Sequence, residues 1–149
     1  MSKVGKLNTH RLRFRTRIHV RFAHCDAAGI VYYPRFFAML ALVVERWFDG
    51  LGFTYRHMHM ERHEGVPAVN IQCEFMHPSR LGDVLDFELV VERLGRSSFT
   101  LSVTARGPAE DQDRLRARLV LAWAQLEGAP KSRPIPQSVR QAMEKFLLG

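Results

Sequence analysis

Cysteine is nearly missing from the chain: Cys25 and Cys73 occur alone, too few for a disulfide framework and too far apart for a zinc site. Both are expected to be free thiols. No apolar run approaches the roughly 20 residues that a membrane-crossing helix needs, since the longest extends only from Phe36 to Val44. No apolar stretch follows Lys3 and Lys6 as it would in a secretory signal, so the expected location is the cytoplasm. Low-complexity tracts and internal repeats are also lacking, and 46% hydrophobic with 25% charged residues excludes a disordered chain. Acidic residues are the scarcer charge: 15 Asp and Glu stand against 22 Lys and Arg, a formal net charge of +7. A positive field attracts nucleic acid, an anionic membrane or a phosphorylated small ligand, and charge alone does not choose among them.

What is present fits one domain over residues 1–149, because a single hydrophobic core commonly serves a chain of this length. Residues 1–10 are expected to be flexible. From Arg11 to Phe22 the chain alternates strictly, with Leu12, Phe14, Thr16, Ile18, Val20 and Phe22 facing a core and arginines or His19 facing water, as in a half-buried strand. Small residues and Gly29 interrupt the pattern. Pro34 then suits a first helical turn, where a missing N–H costs nothing, so a helix is expected from Tyr33 or Pro34 to Asp49. It is apolar almost all round, which predicts burial on most faces, and Gly50 and Gly52 end it. After a less regular stretch, Phe53 to Gly65, four period-2 strands are expected. They carry Val69, Ile71, Cys73 and Phe75; then Leu85 to Val91; then Phe99 to Ala105; then Leu115 to Trp123 on their apolar faces. Short turns between consecutive strands favour an antiparallel meander. Lys131 to Pro136, with three prolines nearby, reads as an extended segment rather than a strand, and residues 137–148 as a short closing helix. The sum is an α+β fold, a curved antiparallel sheet wrapped around one long central helix.

The first loop and the start of this helix read His24-Cys25-Asp26-Ala27-Ala28-Gly29-Ile30-Val31-Tyr32-Tyr33-Pro34-Arg35-Phe36-Phe37. Further blocks are Glu74-Phe75-Met76-His77-Pro78-Ser79-Arg80-Leu81-Gly82-Asp83 and Leu94-Gly95-Arg96-Ser97-Ser98-Phe99, with Lys131 and Ile135-Pro136 near the end. Together these resemble the 4-hydroxybenzoyl-CoA thioesterase family of hotdog enzymes, in order and over roughly Arg13 to Pro136. The resemblance implies the hotdog fold and hydrolysis of an acyl-CoA thioester. Coenzyme A is then part of the substrate, and no separate cofactor or metal is expected.

Thioester hydrolysis needs a group that attacks the carbonyl or activates water, and a donor for the oxyanion that forms. The resemblance assigns the first role to Asp26, as nucleophile or general base, and the second to the backbone N–H of Tyr33. Residue types alone leave a plainer duty open for Asp26, the capping of a turn or helix. Gly29 is read as a turn glycine, needing positive φ or a close backbone approach, that places Asp26 and the helix start around one point. The phosphates of coenzyme A call for basic side chains and hydroxyls: Arg96 first, with Ser97, Ser98, Lys131 and Arg133 as further candidates. Two departures bear on the substrate. Ala41 stands where many members have an acidic residue, which removes a partner for a ring hydroxyl and favours unsubstituted aromatic or short to medium aliphatic acyl groups. His24 stands where another acid is frequent.

Other readings carry less. Glu45 lies late in the helix and suits a polar helix end beside Arg46. Cys25 has no third group to orient His24 as its base. His57, His59 and His63 have no further ligand pattern beside them. The alternative to an enzyme is a noncatalytic acyl-CoA or nucleic-acid-binding module, but the basic strand lacks exposed interleaved aromatics, so no nucleic-acid partner is expected. The pattern around Asp26 also argues against enoyl hydration. A single sheet on one helix leaves an edge and a face uncovered, so a homo-oligomer is expected, a dimer or a dimer of dimers forming a homotetramer, with sites between subunits.

Overall fold

The computed structural model describes residues 12–148. The expected flexible segment 1–10, and Arg11 at the start of the expected first strand, lie outside the described residues. Strand β1 (Phe14–His19) enters first, and a 3-10 turn (Phe22–His24) follows it. Helix α1 (Tyr33–Leu51) ends where Gly52 adopts φ 93°, the left-handed conformation that glycine takes without a Cβ clash. A π-helical turn (His57–Glu61) and the short β2 (Glu64–Gly65) lead to β3 (Ala68–Phe75). Then come β4 (Val84–Leu94), β5 (Ser98–Arg106), β6 (Leu115–Ala122), β7 (Ala124–Gln125), β8 (Lys131–Ser132) and α2 (Gln137–Glu144).

Five strands form one antiparallel sheet in the order β1-β4-β5-β6-β3, and β2-β7-β8 form a small second sheet. The expected meander therefore holds only for β4, β5 and β6. Strand β3 lies at the far edge, because α1 crosses the sheet between β1 and β3 and residues 76–83 cross back at its end. Period-2 patterns mark which face is apolar but not which strand is the neighbour.

Helix α1 buries Phe36, Met39, Leu40, Val43, Val44, Trp47 and Phe48, a stripe at helical spacing against the sheet. Its opposite side is exposed, with Phe37, Ala38, Ala41 and Leu42 uncovered, which corrects the expectation of burial on most faces. The inner face of the sheet supplies Leu85, Phe87, Leu89, Phe99, Leu101, Val103, Leu115, Leu119 and Leu121 to the same core. On the outer face Arg13 and the arginines of β1 meet carboxylates of β4: Glu88 takes Arg13 and Arg15 at 2.6 and 3.0 Å, and Asp86 takes Arg17 at 2.7 Å.

Four boundaries differ from expectation for local reasons. Phe22 leaves the core row for the 3-10 turn and is 82% exposed, since β1 ends at His19. A bulge at Val69 turns that residue outward and puts Ala68 opposite Leu121. Lys131 and Ser132 pair with Gln125 and Ala124, so the expected extended segment begins as an edge strand, its prolines falling just outside the pairs. Helix α2 stops at Glu144, short of 148, because Leu148 N–H donates to Val91 O and Phe146 O accepts from Val91 N–H, which draws the end of the chain alongside β4. No helix of the described residues is long and apolar enough to cross a membrane.

Candidate active site

The loop between β1 and α1 is a small hairpin closed on itself. Cys25 and Val31 form an antiparallel bridge, Asp26 N–H donates to Ile30 O at 3.0 Å, and Gly29 N–H donates to Asp26 O at 3.0 Å. The turn so formed needs a left-handed residue at its end, and Gly29 supplies φ 78°. A Cβ at Gly29 would meet nothing within 4 Å, so positive φ, and not a close approach, is the reason for glycine here.

Asp26 is exposed, and its Oδ1 accepts the Ala28 N–H at 2.9 Å. That bond caps the turn and fixes the side chain. The other carboxylate oxygen, Oδ2, has no hydrogen-bond partner among the described residues. Asp26 does not cap α1, whose N-cap is Tyr32 without a side-chain bond.

At the helix start, Tyr32 N–H donates to His24 O at 2.9 Å and Arg35 N–H to Tyr32 O at 2.8 Å, while Pro34 has no N–H. The Tyr33 N–H donates to no acceptor among the described residues. It points along the positive end of a helix of 19 residues, where an oxygen bearing negative charge is stabilised. The Cys25–Val31 bridge thus sets a carboxylate with an unengaged oxygen and an unengaged helix amide on the two arms of one hairpin.

Aromatic rings wall this end. Phe75, at the close of β3, meets Tyr33 at 6.3 Å, Phe36 at 5.8 Å and Phe37 at 6.4 Å between ring centroids, and Tyr32 meets Tyr33 at 5.5 Å. Phe75 and Tyr33 remain 48% and 59% exposed. Phe75 belongs to this aromatic wall, a placement that sequence reasoning missed. Its signal was there, an aromatic immediately before the Met76-His77-Pro78 block, but its strand pattern assigned it to the core.

A groove of about 450 Å³, a size usual for small-ligand sites, follows the exposed side of α1 and the inner side of β3. Phe37, Ala38, Ala41, Leu42 and Ile71 line it, and Glu45 is its carboxylate. Ala41 presents only a methyl group there. Larger hollows of about 580 and 670 Å³ lie on the outer sheet face and beside residues 110–113, lined by arginine–carboxylate pairs. The apolar groove adjoins the helix start and is the better candidate for an acyl group.

His24 is tied backwards: its Nδ1 accepts the Arg21 N–H at 2.8 Å, so the neutral ring carries its proton on Nε2. Burial, then the charges of Arg35 and Arg21, hold its pKa below the ordinary histidine value. It makes no bond to Asp26 or Cys25 among the described residues, and the Cys25 thiol faces Arg21 O at 3.5 Å. Both cysteines are free, and burial raises the Cys73 thiol to about 11. Among the described residues no three His, Cys, Asp or Glu side chains gather as a metal site.

Residues expected to hold coenzyme A come together at the other end of the sheet. Ile135 N–H donates to Arg96 O at 2.9 Å, Trp123 N–H to Ser97 O at 2.8 Å, and Arg133 N–H to Trp123 O at 2.9 Å. Ser98 O receives Gly95 N–H at 2.8 Å, and Lys131 follows on β8. Arg96, Lys131 and Arg133 are exposed. This cluster sits past the end of β4, whereas the Asp26 loop is joined to residues 79–81 just before its start. Along the 11 residues of β4 that is about 30 Å, so one chain does not bring the two groups together.

Residues 20–143 match the Thioesterase-like superfamily. The chain is 31% identical over 81 residues to the 1,4-dihydroxy-2-naphthoyl-CoA hydrolase of Synechococcus elongatus, covering 54% of this chain and spanning 60% of that relative's length. It is 30% identical over 114 residues to the 4-hydroxybenzoyl-CoA thioesterase of Pseudomonas sp. strain CBS-3, covering 73% of this chain and 81% of that protein. The solved structure of the Pseudomonas enzyme superposes with a TM-score of 0.78 at 26% identity, covering 87% of this chain and 98% of the other. With a curved antiparallel sheet around one long helix and this match over most of its length, the chain belongs to the hotdog-fold Thioesterase-like superfamily.

Proposed function

We propose that the protein hydrolyses an acyl-CoA thioester to the free acid and coenzyme A, with Asp26 as nucleophile or general base and the Tyr33 N–H as donor to the carbonyl oxygen. The observation that carries this reading is the pairing of two unengaged groups, Asp26 Oδ2 and the Tyr33 amide, on one closed hairpin at a helix N-terminus. A positioned donor of this kind is worth about 3 to 4 kcal/mol in the transition state of acyl transfer.

Two routes balance. As nucleophile, Asp26 forms a bond to the carbonyl carbon, the C–S bond breaks, coenzyme A leaves as thiolate, and water then cleaves the mixed anhydride. As general base, Asp26 takes a proton from water, the hydroxide adds to the carbonyl, and the thiolate leaves directly. Both place negative charge on the oxygen facing Tyr33 N–H.

Both named relatives act on aryl-CoA thioesters, and the groove beyond Phe37 and Phe75 is apolar apart from Glu45 and Tyr55. Ala41 offers no hydrogen bond to a ring substituent. An unsubstituted aromatic or a short to medium aliphatic acyl group suits this lining. Coenzyme A enters as part of the substrate, and the cytoplasm is the compartment we assign.

The separation of Asp26 from Arg96, Lys131 and Arg133 supports a two-fold oligomer in which one protomer supplies the hairpin and its partner the basic cluster. Strand β3 is an uncovered edge, and Ile71, Phe75, Phe37 and Leu42 form an exposed apolar surface beside it. Such an edge invites pairing with a second copy. A dimer of dimers would bury further surface.

The experiment is a thiol-release assay on Asp26→Asn with benzoyl, hydroxybenzoyl, phenylacetyl and straight-chain acyl-CoA. The variant is expected to stay folded and lose two to four orders of magnitude in kcat, about the range for a positioned acid or base. Near-normal turnover would remove Asp26 from the chemistry. A wild-type protein that turns over none of the panel, yet shifts nucleic acid in a gel, would favour a binding module instead.

A further inference from the structure

Residues 76–83 cross the end of the sheet from β3, at one edge, to β4, beside the other. A crossing segment has no ladder of its own, so its backbone groups must be paired elsewhere. At its start, Met76 N–H and His77 N–H donate to Arg114 O at 2.9 and 3.2 Å. At its end it grips both arms of the Asp26 hairpin. Val20 N–H donates to Asp83 O at 2.8 Å and Gly82 N–H to Val20 O at 3.0 Å, before the loop. Val31 N–H donates to Ser79 O at 2.8 Å, Leu81 N–H donates to Gly29 O at 3.0 Å, and Ile30 bridges Arg80, after it. Where Asp26 and Tyr33 sit depends on where residues 79–83 sit.

The Arg114 side chain holds those residues. Its Nη1 donates to Asp83 Oδ2 at 2.8 Å and to Ser79 Oγ at 3.4 Å, and the same Asp83 oxygen accepts Arg80 N–H at 2.8 Å. The other edge of the guanidinium is bound at two points by Glu110, Nε to Oε1 at 3.0 Å and Nη2 to Oε2 at 2.6 Å. Glu110 is itself fixed by Gly107 N–H at 2.9 Å. Ser79, 1% exposed, is the buried polar side chain among the described residues, and the Arg114 side chain is only 14% exposed. A planar guanidinium held on two edges sets direction as well as charge, which an ammonium does not.

We propose that Arg114 is a positioning residue for thioester hydrolysis: through Asp83 and Ser79 it holds residues 79–83, and through them it keeps the Asp26 carboxylate and the Tyr33 N–H directed at one carbonyl. The proposal rests on the roles of Asp26 and Tyr33 given above. Arg114 is not assigned to coenzyme A, because four of its five N–H donors are spent on Ser79, Asp83 and Glu110. Its partners stay ionised in mild acid. The Arg114 hydrogen bond, with that of Gly107 N–H, holds Glu110 down to about 2, and Arg80 N–H together with Arg114 holds Asp83 below the usual carboxylate range.

The test uses benzoyl-CoA as probe, or whichever acyl-CoA of the panel the wild type turns over fastest, at a temperature well below each variant's unfolding midpoint. Arg114→Met is expected to lower kcat by about 10- to 100-fold, the scale of a small misplacement of reacting groups, with KM within about threefold. Arg114→Lys should recover only part of the loss. In an Asp26→Asn background, Arg114→Met should cost little more, since a residue that acts through Asp26 is coupled to it. A folded Arg114→Met with wild-type kcat, or losses that multiply in the double variant, would overturn the proposal. If Arg114→Met does not fold, Ser79→Ala and Glu110→Gln decide: about 3- to 10-fold lower kcat at constant KM supports it, and unchanged kcat in both overturns it. Asp26→Asn with normal turnover would sink the underlying reading of the site together with this one, whereas an inactive Asp26→Asn beside an unimpaired Arg114→Met sinks this one alone.

Discussion

Asp26 and Gly29 are joined end to end by one hydrogen bond, Gly29 N–H to Asp26 O at 3.0 Å, so a single turn separates the proposed reactive carboxylate from the residue that reverses the chain toward α1. The φ of Gly29 and the placement of Asp26 are therefore one property.

Gly29→Ala tests that link. There is room for the methyl group but the left-handed backbone costs an L-residue about 1 to 2 kcal/mol. The expected outcome is a fall in Tm of about 3 to 6 °C and a larger proportional loss in kcat than in stability. Calorimetry and thiol release on the same sample measure both, and an unchanged Tm would show that the turn relaxes into another form.

Acid should weaken the fold in a defined window. Glu110 and Asp83 have folded pKa values below their unfolded values near 4, so they stabilise the protein fully above about pH 5 and cease to do so as pH falls toward about 2. His24 acts in the same direction at higher pH: its lowered folded value means that the unfolded chain takes up the proton first, below about 6.5. Urea midpoints between pH 7 and 3 should decline, and Arg114→Met should flatten the lower part of the curve. A midpoint that rises on acidification contradicts the assignment.

Ile71→Arg addresses assembly. Ile71 is on the inner side of the edge strand β3, beside the exposed side of α1. A charge there should prevent a second copy from docking and leave a species near 17.2 kDa by light scattering. Full activity in that monomer would mean that one chain holds a complete site.

Arg96→Ala should raise KM more than it lowers kcat, because contacts to coenzyme A far from the carbonyl are shared by ground and transition states. A raised KM that high salt no longer affects would fit the loss of a phosphate contact. A fall in kcat alone would place Arg96 in the chemistry.

How much of this was legible beforehand varies by element. The start of α1 at Tyr33, its stop at Gly52 and the apolar rows of β4, β5 and β6 follow from local signals: proline at a helix start, glycine with positive φ, and period-2 alternation. The place of β3 at the far edge did not follow, because a short turn was expected between consecutive strands although residues 76–83 form a crossover. Neither did the pairing of Lys131 and Ser132 with β7, which uses two residues on each side and carries no pattern. In the proposed site, Asp26, Gly29 and Tyr33 were singled out through their neighbours in one continuous stretch. Phe75 and Arg114 were not, since Phe75 meets α1 across 38 to 42 residues of chain and Arg114 meets Ser79 and Asp83 across 35 and 31.

The sequence by itself determined the long helix, the apolar rows of β4, β5 and β6 and the family, because those depend on residues close together in the chain. Only the tertiary structure decided which strand is exposed and that the basic turn lies at the far end of the sheet from Asp26. Those are relations between distant segments, set by how one core closes over α1, and no local pattern encodes them.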